Sequence, residues 1–168
     1  MSFGMYQASA PVFTHYLTGL SGILDKGAAY AEAKKIDPAV LVNARLFPNM
    51  FPLSRQVQIA TDQTKGALAR LSGSEVPSWP DTESTFPELK ARVAKALDYA
   101  KGFKPEQING SEDKNITLKI GGQDMNFTGS KFLLHFSLPN FFFHVTTAYA
   151  ILRHNGVEIG KPDFMAGG

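Results

Sequence analysis

Residues 130–153, SKFLLHFSLPNFFFHVTTAYAILR, constrain this chain more than any other stretch. They include five phenylalanines and no acidic side chain. A helix that is apolar nearly all round is expected to lie between other helices, not on a surface. Pro139 removes one backbone donor and predicts a kink near Leu134 and His135. Asn155-Gly156 supplies the stop, since both residues tolerate the left-handed cap. The stretch is long enough to cross a bilayer. It is nevertheless interrupted by His135, Asn140, His144, two threonines and Pro139, so no membrane partner is expected.

The rest of the chain supplies helices to cover it. Residues 3–25 place Val12, Phe13, Tyr16, Leu17, Leu20, Ile23 and Leu24 on one helical stripe, with Pro11 near the first turn and Gly27 either the stop or followed by further helix over 28–35. Gly19 and Gly22 suggest close approach of another element. Asp37-Pro38 reads as an N-cap followed by a first-position proline, launching a short connector, AVLVNARLF. Residues 51–71 form a second long helix with Val57, Thr61, Thr64, Leu68 and Leu71 on one face and Gly73 as the stop.

Residues 72–84 are polar and too long for a tight helix hairpin, which suits a crossover pinned by Trp79, the only tryptophan. Thr85 and Glu88 have capping-box spacing and open a third helix over 86–101, with Leu89, Val93, Leu97 and Ala100 inward. Over 115–128 the period changes to two, broken by Gly121-Gly122, which predicts a β-hairpin. The tail VEIGKPDFMAGG reads as a surface strand or loop, with Phe164 and Met165 docking. The expected fold is all-α: a four-helix bundle with a crossover between helices 2 and 3 and a small hairpin before the last helix, in one domain over 1–168.

Charge and composition exclude several function classes. Seventeen basic against fifteen acidic side chains leave +2, too even for a nucleic-acid partner. Cysteine is absent, so no disulfide or thiolate site exists, and a cytoplasmic home fits. The N-terminus lacks the charged and apolar regions of a signal peptide. Neither a phosphate-binding glycine loop nor GxGxxG is present.

The candidate site residues are polar groups in apolar surroundings. Asn140 and His144 are four residues apart and share one face of the last helix. Gln58 and Asp62 share a face of the second long helix, either solvated or reaching inward as ligand-binding groups. Asn, Gln and neutral His can satisfy one another or hold a buried water. His135 lies about 180° around the helix from His144 and cannot join it. His15 reads as a surface or hydrogen-bonded histidine, and Arg153 and His154 as partners of the helix C-terminal carbonyls.

The run Asn140-x-x-x-His144, Ala150-Ile-Leu-Arg153 and Gly156 resembles the terminal helix of the DinB-like superfamily. FPLSRQVQIATDQTKGALARL and LPNFFFHVTTAYAILRHNGV look like an uncharacterised, bacterial branch of it, a family of unknown function. The resemblance implies a four-helix bundle and, in many members, three histidines holding zinc, nickel or another divalent ion. One comes from the second helix and two from an H-x-x-x-H pair on the last. Here His144 matches the final ligand, Asn140 replaces its partner, and residues 51–71 contain no histidine. Gln58 is the expected stand-in for the first ligand, with Asp62 a turn further on. The resemblance thus implies a ligand-binding or non-catalytic member with a degenerate metal site, His144 being its remaining metal ligand. Two alternatives stand beside it: a divalent-metal-dependent thiol transferase or hydrolase, and a homodimeric assembly or stress-related protein.

Overall fold

The computed structural model describes residues 4–166. Its first helix, α1 (Ala10–Lys34), has Pro11 in its first turn and ends where Lys35 turns left-handed. Gly27 is therefore not a stop, and the helix continues over 28–34, the other outcome the sequence allows. It is buried inside the helix, where an added Cβ would crowd the Phe86 ring and the Leu152 methyls. Phe3, the expected start, lies outside the described residues. The short α2 (Pro38–Val42) is capped by Asp37, whose carboxylate accepts the Ala39 N–H at 2.9 Å. It ends five residues before the Phe47 expected to close it. Next comes α3 (Leu53–Ser72), closed by Gly73 at φ 81°, a backbone angle that glycine adopts without the Cβ penalty.

The segment between α3 and α4 (Phe86–Lys101) is irregular, as its prolines and polar residues predict. The capping box at its end is present. Thr85 Oγ1 accepts the Glu88 N–H, and the Glu88 carboxylate accepts the Ser84 and Thr85 N–H groups, which lowers its pKa. After the single turn of α5 (Pro105–Ile108), β1 (Asn115–Ile120) and β2 (Gln123–Thr128) pair antiparallel, Ile116 opposite Phe127 and Lys119 opposite Asp124.

The central segment is one helical run in three parts: α6 (Gly129–Phe132), a wider π-type turn over Leu133–Ser137, and α7 (Leu138–His154). Pro139 accounts for the wide turn. It has no N–H for the carbonyl a turn earlier, and the Leu138 N–H reaches back five residues to Leu133 O instead. The expected kink is thus taken up as a change of helix type. The tail departs from its expectation: it forms α8 (Lys161–Met165), not a strand or loop. Phe164 packs beside Tyr16 and Tyr149, with ring centroids 5.3 and 6.2 Å away. Gly19 marks this approach, since a Cβ there would lie 2.9 Å from Phe164 O.

The long helices α1, α3, α4 and α7 enclose one hydrophobic core, α7 against α3 and α1, and α4 against α1 and α3. Phe13 and Phe141 meet edge to face at 5.0 Å, both fully buried. Burying such a side chain contributes about 2–3 kcal/mol. Contrary to expectation, the central segment is not covered all round. Leu134 and Phe143 are 50% and 57% exposed, because α3 and α1 cover only one side of it. Among the described residues, no helix is long and apolar enough to cross a membrane.

Candidate functional site

His144 projects from the covered side of α7 towards α3 and is only 9% exposed. Its Nδ1 lies 2.7 Å from Oε1 of Gln56, itself buried on the first turn of α3. Gln56 Nε2 donates to Phe51 O at 3.0 Å, which fixes the amide so that its oxygen faces the imidazole. The network therefore assigns the proton to His144 Nδ1 and a lone pair to Nε2. Burial, and then the nearby Arg55 charge, push the His144 pKa down to about 4. The imidazole is neutral at physiological pH, able to donate at one nitrogen and accept at the other.

The sequence-derived partners fall elsewhere. Asn140 is half-buried one turn before His144, and its Nδ2 donates within its own helix to Phe136 O at 2.7 Å. Gln58 accepts from Arg55 Nη1 at 3.3 Å and donates to Glu83 Oε2 at 3.1 Å. Gln56, not Gln58, meets the last helix. The offset of two residues matters because two helical positions differ by about 200° around the axis.

Asp62 joins the same group of charges as Gln58, whose centre is Arg92, 3% exposed on α4. The Arg92 guanidinium donates to Thr61 Oγ1 at 2.9 Å, Pro80 O at 2.7 Å, Asp62 Oδ1 at 2.8 Å, Asp81 Oδ1 at 2.9 Å and Glu83 Oε1 at 3.1 Å. Lys65 Nζ also reaches Asp62 Oδ1, at 2.8 Å. Arg55 pairs with Asp81. The cations Arg55, Lys65 and Arg92 thus face the anions Asp62, Asp81 and Glu83, and every donor of Arg92 points at an acceptor. Trp79 closes the group, with Lys65 and Lys95 Nζ each 4.7 Å from its ring centre, and holds the segment between α3 and α4 against both helices. Arg92 escaped the sequence reading, although it sits three residues after Leu89 and four before Ala96, on the inward stripe. An arginine on such a stripe, preceded by an acid-rich loop, is the signal that would have found it.

The remaining histidines are separate. His15 Nε2 is 3.0 Å from Met165 O, whereas His135 and His154 are exposed. Among the described residues, no group of three or more His, Asp or Glu side chains is arranged to hold a metal ion. The donors around His144 do not fit a zinc or nickel cage either. Its neighbour is a neutral amide oxygen already engaged by the imidazole, and Asn140 is tied to its own helix. The arrangement can bind through hydrogen bonds, with the imidazole Nε2 as acceptor.

Comparison with known proteins agrees with this architecture. Residues 5–165 match the family model described as a domain of unknown function, DUF1993. A crystal structure of a DinB family member protein from Shewanella denitrificans is 42% identical, covers 95% of this chain and 90% of its own, and superposes with a TM-score of 0.87. No curated protein matches the chain. A family match over nearly the whole length, joined to a DinB neighbour at this identity, shows that the chain belongs to the DUF1993 branch of the DinB-like proteins.

Proposed function

We propose that this protein is a non-catalytic, ligand-binding DinB-like four-helix bundle, in which a hydrogen-bonded His144–Gln56 pair occupies the position of a metal centre. The crossover of that bundle is the segment pinned by Arg92 and Trp79. The observation that carries this reading is the 2.7 Å bond between His144 Nδ1 and Gln56 Oε1, buried and uncharged. It satisfies in an apolar setting the group that would otherwise ligate an ion. The ligand it suits is a small neutral molecule with a donor for His144 Nε2, and Asn140 Oδ1 lies one turn away on the same helix.

Metal analysis of protein purified without a histidine tag tests the proposal. The expected result is substoichiometric zinc and nickel, unchanged in His144→Ala. Stoichiometric metal that disappears in His144→Ala overturns it and restores the thiol-transferase or hydrolase reading.

A second reading, homodimerisation, is favoured by an exposed apolar face beside this pair. Phe47, Phe51 and Phe143 are 61%, 54% and 57% exposed, and Leu46, Met50 and Phe143 line one groove with Pro139 and Ala150. Contiguous apolar surface of this kind marks an interaction site. Sedimentation analysis should find a dimer that Phe143→Glu dissociates. A wild-type monomer at micromolar concentration removes this reading.

A further inference from the structure

A second groove, of about 480 Å³, lies between α3, residues 76–78 of the crossover and strand β1. Its Arg70 end lies well away from His144. Arg70, on its wall, is fourteen residues along α3 from Gln56, a separation of about 20 Å at the helical rise.

One cation lining this groove, Arg70, has no acidic partner among the described residues. Its Nη1 donates to Gly66 O, at 3.0 Å, a bond within its own helix. Lys119 lies opposite Asp124 and, by strand alternation, on the other face of the hairpin from Leu118 and Ile120. Burial depresses the Arg70 pKa and nothing offsets it. The one acid lining the groove, Asp62, is already bound twice, by Arg92 and Lys65. The contrast with Arg92 is instructive: one guanidinium has every donor matched, and the other has a single backbone carbonyl. Gly66 permits this placement, since a Cβ there would lie 2.6 Å from Arg70 Nη1.

One wall is apolar. Leu118, Ile120, Phe132 and Phe136 form it, so the Arg70 guanidinium stands at the edge of a hydrocarbon surface, while Asp62, Gln63, Lys65 and Ser78 make the rest of the lining polar. A groove of this size with an apolar wall and a charged edge is large enough for a small molecule. A guanidinium presents a planar fork that matches a carboxylate in geometry and charge. A single guanidinium beside an apolar wall suits a singly charged amphipathic acid better than a compact, heavily hydrated phosphate.

We propose that this groove binds a small organic carboxylate with an apolar body, its carboxylate held by Arg70 and its body laid against Leu118, Ile120 and Phe136. The site is independent of the His144–Gln56 pair, and each proposal stands or falls without the other.

The test is calorimetric titration of the full chain with benzoate, 3-phenylpropionate and octanoate, beside 3-phenylpropionamide and inorganic phosphate. The carboxylates should bind, weaken with added salt, and bind at least about tenfold more tightly than the amide, the loss expected when a charge-assisted pair becomes neutral. Arg70→Gln should lose about tenfold or more. Amide resonances of Gly66 and Ile120 should shift during titration in the wild type but not in folded Arg70→Gln. No binding by any carboxylate at millimolar concentration, equal binding of acid and amide, or undiminished binding in Arg70→Gln overturns the proposal. Phosphate binding as tightly as the carboxylates overturns the choice of an apolar body. If Arg70→Gln proves unstable by circular dichroism, Gly66→Ala, which displaces the same guanidinium, takes its place with the same expected loss.

Discussion

His144 and Gln56 lie 88 residues apart in the chain and 2.7 Å apart in space. This bond joins the middle of α7 to the first turn of α3 across the interior. Burial and the Arg55 charge hold the imidazole neutral, and several measurable consequences arise from that state.

The first is a dependence of stability on pH. The folded His144 pKa of about 4 lies below the ordinary value of 6.5, so the unfolded chain binds the extra proton first as pH falls. The stabilisation is fully present above pH 6.5 and is lost as pH drops towards 4. Denaturant melts at pH 7 and pH 5 should differ by about 2 kcal/mol from this group. His144→Gln should remove that share of the difference. A wild-type slope that survives unaltered in the variant would assign the effect elsewhere.

The second separates two glutamines that sequence inspection treats alike. Gln56→Leu should cost about 1–3 kcal/mol, because it leaves the buried His144 Nδ1–H without an acceptor. It should also change the tautomer balance read from the imidazole nitrogen shifts. Gln58→Leu should leave those shifts where they are, since its amide serves Arg55 and Glu83. Equal responses of the imidazole to both variants would contradict the geometry.

The third concerns Arg92. Arg92→Met should destabilise by about 3–5 kcal/mol, since it strands Asp62, Asp81 and Glu83 together without their common counter-charge. Trp79 emission should shift to the red as the crossover loosens. Arg92→Lys should recover only part of the loss, because an ammonium cannot reproduce the fork. Full recovery by lysine would reduce the network to simple charge balance.

The fourth contrasts two glycines. Gly129→Ala should cost about 2 kcal/mol or more, since its Cβ would run into the Ser111 carbonyl, which is backbone and cannot move aside. Gly22→Ala should instead stabilise by up to about 1 kcal/mol, because that exposed helical position has nothing within 4 Å of a new Cβ. Thermal melts of the two variants should therefore move in opposite directions.

The helices of this protein were legible in its residues because each carries its own local chemistry. Asp37-Pro38, the Thr85–Glu88 capping box, Gly73 and the Gly121-Gly122 turn act within a few residues of themselves, and each occurs where its spacing says. The stripe through Val57, Thr61, Thr64 and Leu68 named the buried face of α3 for the same reason. Local signals misled where distant contacts outweighed them. Gly27 looks like a stop, yet its missing side chain admits Phe86 and Leu152 and the helix runs on. The tail looks irregular, yet Phe164 finds Tyr16 and Tyr149 and a helical turn forms around it.

The polar site divides in the same way. That His144 has no second histidine on the facing helix could be read from composition alone. Which glutamine faces it could not, because the rotation and axial offset of α3 against α7 come from packing of side chains far apart in sequence, and two residues of offset carry a side chain to the opposite face. The pairing of Arg92 with Asp62, Asp81 and Glu83 likewise exists only once the crossover lies across α3 and α4. Residue order dictated which segments become helical and what each would bury. Assembly alone chose the partners of its buried charges and of its buried imidazole, since a desolvated polar group takes whichever acceptor the packed core brings within hydrogen-bonding distance.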